Sequence, residues 1–131
     1  MAEVYGVTPS IRVRDVPRAF RFYTETLGFD VRRGGPDDDN ISLTRGNASL
    51  MLEGAGNFYS DAYNKAIQER LGTPSANAFY MEATDLDALN ERVMKAGAKI
   101  IDPLAARQWG QREFTVEDPE GNWLTFWEAL K

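Results

Sequence analysis

Cysteine and histidine are both absent from the 131 residues. Without cysteine there is no disulfide, no thiolate metal site and no cysteine nucleophile. Without histidine the commonest metal ligand and the commonest general base are missing, and a Ser-His-Asp triad is ruled out. A metal would have to be held by carboxylates, amides or carbonyls, which favour hard cations. Long apolar runs are missing too: none approaches the ~20 residues that span a bilayer. The opening from Met1 to Val7 lacks the basic-then-apolar layout of a secretory signal, so a cytoplasmic protein is expected. Positive charge is in deficit, with 15 Lys and Arg against 20 Asp and Glu. The net charge of -5 argues against a nucleic-acid partner and suits a cationic ligand.

What remains is an ordinary globular composition, 43% hydrophobic and 27% charged, in a chain long enough for one domain with a real core. Tyr5 to Arg14 alternates as a strand, with Val7, Ile11 and Val13 on one face and Thr8, Ser10 and Arg12 on the other. Pro9 places its first half at an edge or a bulge. Asp15 reads as an N-cap, Val16 to Leu27 carries a helical apolar stripe, and Gly28 stops it. Strands are expected at Phe29–Arg33, Ile41–Thr44 and Ala48–Glu53, with an acidic turn-rich loop over Gly34 to Asp39. Asp37, Asp38 and Asp39 lack the regular ligand spacing of a calcium loop and read as a solvated run.

After a break at Gly54 to Tyr59, Ser60 to Leu71 reads as a joining helix. The opening order then repeats: strand at Asn77–Ala83, cap at Asp85, helix at Leu86–Ala96, strand at Lys99–Leu104 ending at Pro103, strand at Arg112–Val116, and strand at Trp123–Glu128 after the Asp118-Pro-Glu-Gly-Asn122 turn. Two copies of βαβββ predict an α+β fold, a curved mixed sheet around a cleft, whose modules each bury one sheet face under a helix. The whole chain, 1–131, reads as one domain, with module one at about 4–54, a joining helix at about 58–72 and module two at about 76–130.

Three stretches carry a family resemblance. Ile11-Arg-Val-Arg-Asp15 with Phe22-Tyr23 and Leu27-Gly28-Phe29 is similar to the opening of the vicinal oxygen chelate proteins, the glyoxalase, bleomycin-resistance and dioxygenase superfamily. Phe79 to Asp87 with Ala96-Gly97-Ala98 resembles the start of the second module, and Trp109 to Phe114 with Asp118 to Asn122 and Leu124-Thr-Phe126 resembles the final hairpin. Thr8-Pro9-Ser10 and Trp109-Gly-Gln-Arg-Glu-Phe114 look most like the bleomycin-resistance branch. That resemblance implies a homodimer that traps a small molecule between subunits, in a cleft completed either within one chain or by exchanging modules. Function stays open at this level, because the scaffold hosts several chemistries.

The resemblance also implies four metal-ligand positions, one from the first and last strand of each module. They fall on Thr8, Leu50, Ala78 and Thr125, none of them a good donor. No metal, no other cofactor and no catalytic residue is therefore expected. Glu53 takes the opposite strand parity to Leu50 and is set aside. Parity gives the cleft lining as Ser10, Arg12, Leu50, Tyr80, Glu82, Glu113, Trp123, Thr125 and Trp127, with Leu52 and Thr115 beside them and Trp109 in the adjoining loop. Such a surface suits an aromatic or cationic guest, with Glu82 and Glu113 attracting positive charge. The bland alternatives are core or interface roles for the tryptophans and carboxylate pairing for Arg12. Phe58, Tyr59 and Tyr63 either cap the cleft or pack the joining helix down, and packing is the expected reading. The competing functions are a metal-free binding protein, an isomerase or lyase using a cation or a base such as Glu82 or Glu113, and a non-catalytic module acting through its interface.

Overall fold

The computed structural model describes residues 2–54 and 59–130, so the expected contribution of Phe58 lies outside the described residues. Module one runs β1 (Ser10–Arg12), α1 (Val16–Arg21) continued by a π-helical turn (Phe22–Thr26), β2 (Asp30–Arg33), β3 (Asn40–Arg45) and β4 (Ala48–Glu53). The joining helix α2 (Asp61–Arg70) leads to β5 (Ala78–Glu82), α3 (Leu86–Lys95), β6 (Lys99–Arg107), β7 (Gln111–Glu117) and β8 (Trp123–Ala129). The two four-stranded sheets have orders β1-β4-β3-β2 and β5-β8-β7-β6. In each, the first strand lies parallel to the last and the remaining pairs are antiparallel. This is the α+β repeat that the sequence periodicity predicts.

Local chemistry explains the helix boundaries. The Asp15 carboxylate accepts from the Arg18 amide at 3.1 Å and starts α1. Gly28, at φ +81°, ends it in a conformation that costs an L-residue about 1–2 kcal/mol. Ile11, Val13, Ile41, Leu43, Leu50 and Leu52 of module one are buried with Val16, Ala19 and Tyr23 of the first helix, as are Phe114, Val116, Leu124 and Phe126 of module two with Leu86 and Val93 of α3. Both groups belong to one continuous core. Each such aliphatic side chain removed from water contributes about 1.5–3 kcal/mol.

The modules are fastened on the helix side. Tyr23 donates to Asp118 in the β7–β8 turn at 2.8 Å, the Glu120 carboxylate accepts from the Arg14 and Asp15 amides, and Arg92 of α3 donates to the Glu25 carbonyl at 2.9 Å. Polar and aromatic side chains are left on the sheet faces turned away from the helices. Among the described residues, no helix is long and apolar enough to cross a membrane.

Four expectations need correction. The first strand is Ser10–Arg12 rather than Tyr5–Arg14, because Pro9 has no amide for the ladder and only its carbonyl is used, by Met51. Strand β6 continues through Pro103 to Arg107. It lies at the sheet edge with register shifts around Asp102 and Ala105, where a missing N–H is tolerated. Asp85 precedes α3 with φ 52° and makes no side-chain cap, unlike Asp15. Leu50 and Leu52 pair with Leu43 and Ile41 and are buried beneath the helix, so the opposite face of β4 is Ser49, Met51 and Glu53.

Candidate ligand-binding faces

On the helix-free face of module two, β7 and β8 place Glu113, Thr115, Thr125 and Trp127 in one field, with Glu113 opposite Trp127 and Thr115 opposite Thr125. Tyr80 pairs with Thr125 and Glu82 with Trp127, so β5 extends the same surface. Glu113 is only 4% exposed. Its Oε1 accepts from Trp109 Nε1 at 2.7 Å and from Gln111 Nε2 at 3.2 Å, and its Oε2 accepts from Tyr80 Oη at 3.2 Å. A buried carboxylate satisfied in this way orients its donors. It therefore holds two aromatic rings that are themselves open to solvent, Tyr80 at 59% and Trp109 at 58% exposure.

The rest of that field divides into floor and rim. The Thr115 and Thr125 hydroxyls bond to each other at 2.7 Å and are buried. Trp123 is partly open and donates to Glu117 at 3.1 Å, while Glu117 pairs with Lys99 at 3.0 Å. Glu82 is exposed. Burial and the adjacent Glu113 charge push the Tyr80 phenol above its ordinary value of 10.0, so it stays a neutral donor. Glu113 itself is already occupied by three donors, so its expected role of meeting a cation directly is weakened in favour of holding the rings.

The helix-free face of module one carries a second cluster. Ser10 pairs with Met51 and Arg12 with Glu53 along β1 and β4. Glu53 is 2% exposed. Its Oε1 accepts from Ser10 Oγ at 2.5 Å and its Oε2 from Tyr59 Oη at 2.7 Å, and Arg12 Nη2 stands 3.4 Å from Oε2. Burial pushes the Glu53 carboxyl up, but the donors Ser10, Tyr59 and Asn40 and the Arg12 charge outweigh it and hold the group below its ordinary value of 4.5. Arg12 also donates to Tyr63 Oη at 3.0 Å. Tyr59 and Tyr63 thus bond to this face while remaining partly exposed.

Arg12 does find a carboxylate, the one set aside on the sequence. Gln111 is a residue that sequence reasoning passed over, and Tyr59 and Tyr63, expected to pack the joining helix, bond to Glu53 and Arg12 instead. The signal for Glu53 was its placement at the end of a strand beside Ser10 and Arg12; an error of one residue in the β4 register hid it.

The four positions read from the sequence as metal ligands do not fit an ion. Thr8 and Ala78 are exposed, Leu50 is in the core, and the Thr125 hydroxyl is engaged by Thr115. On β4 the helix-free neighbours of Leu50 are Ser49 and Met51. Among the described residues no group of three or more Asp or Glu converges.

Two hollows lie along the seam between the modules. One of about 920 Å³ is bordered by Leu27, Phe29, Arg45, Glu82, Leu89 and Phe126. Another of about 300 Å³ is bordered by Val7, Leu50, Ala78 and Phe79. Tyr80 borders both. Trp109 and Glu113 border neither, and nor do Arg12 and Glu53, so the two clusters do not share either hollow of one chain.

Comparison with known proteins gives a consistent outcome. Residues 7–126 match the family described as Glyoxalase/Bleomycin resistance protein/Dioxygenase superfamily. An uncharacterised protein of Mycobacterium tuberculosis is 28% identical over 126 residues, covering 89% of this chain and 70% of that protein. TnmS3, an antibiotic binding protein from a Streptomyces species, superposes with TM-score 0.70 at 23% identity over 98% of both chains. The bleomycin-binding protein of Streptomyces verticillus, solved with copper(II)-bleomycin, superposes with TM-score 0.64 at 26% identity, over 100% of this chain and 99% of that one.

Proposed function

Because the chain belongs to the glyoxalase, bleomycin resistance protein and dioxygenase superfamily, we infer that it binds a small aromatic or cationic molecule and does so without a metal. The observation that carries this reading is the pair Trp109 and Tyr80, both held by the buried Glu113 and both open to solvent. Exposed aromatic rings normally cost free energy, and a patch of them marks a binding surface. Fixing them in advance lowers the entropy lost when a planar guest stacks on them. Trp123 and Trp127 extend the platform along β8, and Glu82 adds negative charge at its rim. The bleomycin-binding and antibiotic-binding relatives support a binding role of this kind.

The ligand seat is completed by a second copy of the chain. Support comes from the two helix-free faces, whose clusters share neither of the two seam hollows, and from the exposed Val4, Tyr5 and Val7 ahead of β1. A homodimer covering module two of one copy with module one of another would give two equivalent seats.

Titration of tryptophan fluorescence with metal-free bleomycin and a panel of planar aromatic ligands tests the reading. A saturable change at micromolar concentration or tighter, unaffected by EDTA, is the expected result. A flat response to the whole panel overturns it and favours a module that acts through its interface alone. One tightly held transition metal per chain, in protein purified without chelator, overturns the metal-free part.

A further inference from the structure

The helix-free face of module one contains a cage with a cation already in it. The rings of Tyr59 and Tyr63 have centroids 4.5 Å apart and are tilted by 49°. The Arg12 guanidinium carbon lies 5.3 Å from each ring centroid. On the sheet side is Glu53, buried and 3.4 Å from Arg12 Nη2. Aromatic faces with a buried carboxylate are what selects guanidinium and quaternary ammonium groups over neutral ones.

How Arg12 is held decides what else the cage can take. A guanidinium that locks onto a carboxylate makes two parallel hydrogen bonds. Arg12 does not: a single contact, Nη2 to Oε2 at 3.4 Å, reaches Glu53, whose oxygens also accept from the Ser10 and Tyr59 hydroxyls. Its hydrogen bond goes instead to Tyr63 Oη at 3.0 Å. Apart from that bond, Arg12 is held by charge and by ring faces, which another cation of similar size can also engage. A quaternary ammonium, having no N–H groups, would forfeit the Tyr63 hydrogen bond but keep the charge and ring contacts.

The walls can also give way. Arg12 ends a three-residue strand at the edge of its sheet. Helix α2, which carries Tyr63, has no buried residue. If Arg12 leaves as another cation enters, Glu53 is never buried without a counter-charge, so the exchange avoids the large penalty of an unpaired buried ion.

We propose that Tyr59, Tyr63 and Glu53 form a seat for a guanidinium or quaternary ammonium group, and that Arg12 fills this seat as an internal stand-in until such a group displaces it. This rests on the small-molecule reading and deepens it: the cationic end of a guest docks on module one, away from the tryptophan platform of module two. Arg12 then acts as a selectivity plug, since only a group able to replace its charge gains entry.

The test uses the full chain with two probes, propylguanidinium and benzyltrimethylammonium. In calorimetric titrations Arg12→Ala is expected to bind propylguanidinium about tenfold or more tighter than wild type, and Glu53→Gln added to that background is expected to abolish the gain. In wild-type protein, the Arg12 Nε–Hε NMR signal should lie upfield under the two rings. It should move to the position of an exposed arginine as benzyltrimethylammonium saturates. The proposal fails if well-folded Arg12→Ala binds no tighter than wild type, if the gain survives Glu53→Gln, or if the Arg12 signal stays put at saturation. Should Arg12→Ala not fold, Arg12→Met keeps the apolar stem and serves in the same comparison. None of these readouts uses tryptophan fluorescence, so loss of the cage and loss of the module-two platform give different results.

Discussion

The Tyr23 hydroxyl donates a 2.8 Å hydrogen bond to the Asp118 carboxylate, and both side chains are buried. This bond ties the first helix to the β7–β8 turn. Asp118 also accepts from the Glu120 and Asn122 amides at 2.9 and 2.8 Å, so one carboxylate shapes the turn and joins the modules. Tyr23→Phe keeps the ring and deletes the donor to a buried charge, and should destabilise the fold by about 1–3 kcal/mol in urea denaturation. Burial and the Asp118 charge push the Tyr23 phenol well above its ordinary value of 10.0. The unfolded chain releases that proton first, so this contribution is complete below about pH 10 and is lost as pH rises further. Wild type should lose more stability than Tyr23→Phe on going above pH 10; equal losses would refute the assignment.

Acid should act on module one. Glu53 is held below its ordinary carboxyl value, so its contribution is present above 4.5 and fades as pH falls through the lower folded value. Denaturation midpoints measured from pH 6 down to pH 3 should fall more steeply for wild type than for Glu53→Gln. Parallel curves would mean that the cluster of Ser10, Arg12 and Tyr59 does not depend on the charge.

Glu113 separates ring placement from bulk stability. Glu113→Ala frees Trp109 and Tyr80 from their shared acceptor, and should weaken binding of an aromatic guest about tenfold, roughly 1.4 kcal/mol. Trp109→Phe keeps an aromatic face but loses the N–H, and should weaken it less. Fluorescence titration checks this, with circular dichroism confirming the fold. Equal affinity in wild type and Glu113→Ala would show that the tethers do not matter for binding.

Gly28→Ala should cost about 1–2 kcal/mol, set by the left-handed backbone. The new Cβ would come within 3.0 Å of Arg92 Nη1, but that is the end of a flexible side chain and can move. Urea midpoints report the loss. A neutral substitution would mean that the turn relaxes to negative φ.

Repetition made the architecture legible. Two runs with the same order of alternating and helical periodicities, each cut by glycine and by aspartate-rich turns, require two modules with helices on one side. The tryptophan and tyrosine positions of module two follow from the same alternation, since Trp123, Thr125 and Trp127 must share a face once Leu124 and Phe126 are buried. Module one was harder. Its β4 segment, Ala48 to Glu53, contains apolar residues at Leu50, Met51 and Leu52, so alternation leaves its phase undecided.

By itself the sequence determined that the chain has two βαβββ modules and that no histidine or cysteine chemistry takes place. Those conclusions depend on residue identity and on periodicities of two and 3.6, which act locally. Only the tertiary structure decided the phase of β4, the meeting of Arg12 with Glu53, Tyr59 and Tyr63, and the grip of Glu113 on Trp109 and Tyr80. Those depend on which strands become neighbours and on which polar groups find partners when water leaves, and both are settled by contacts between residues far apart in the chain.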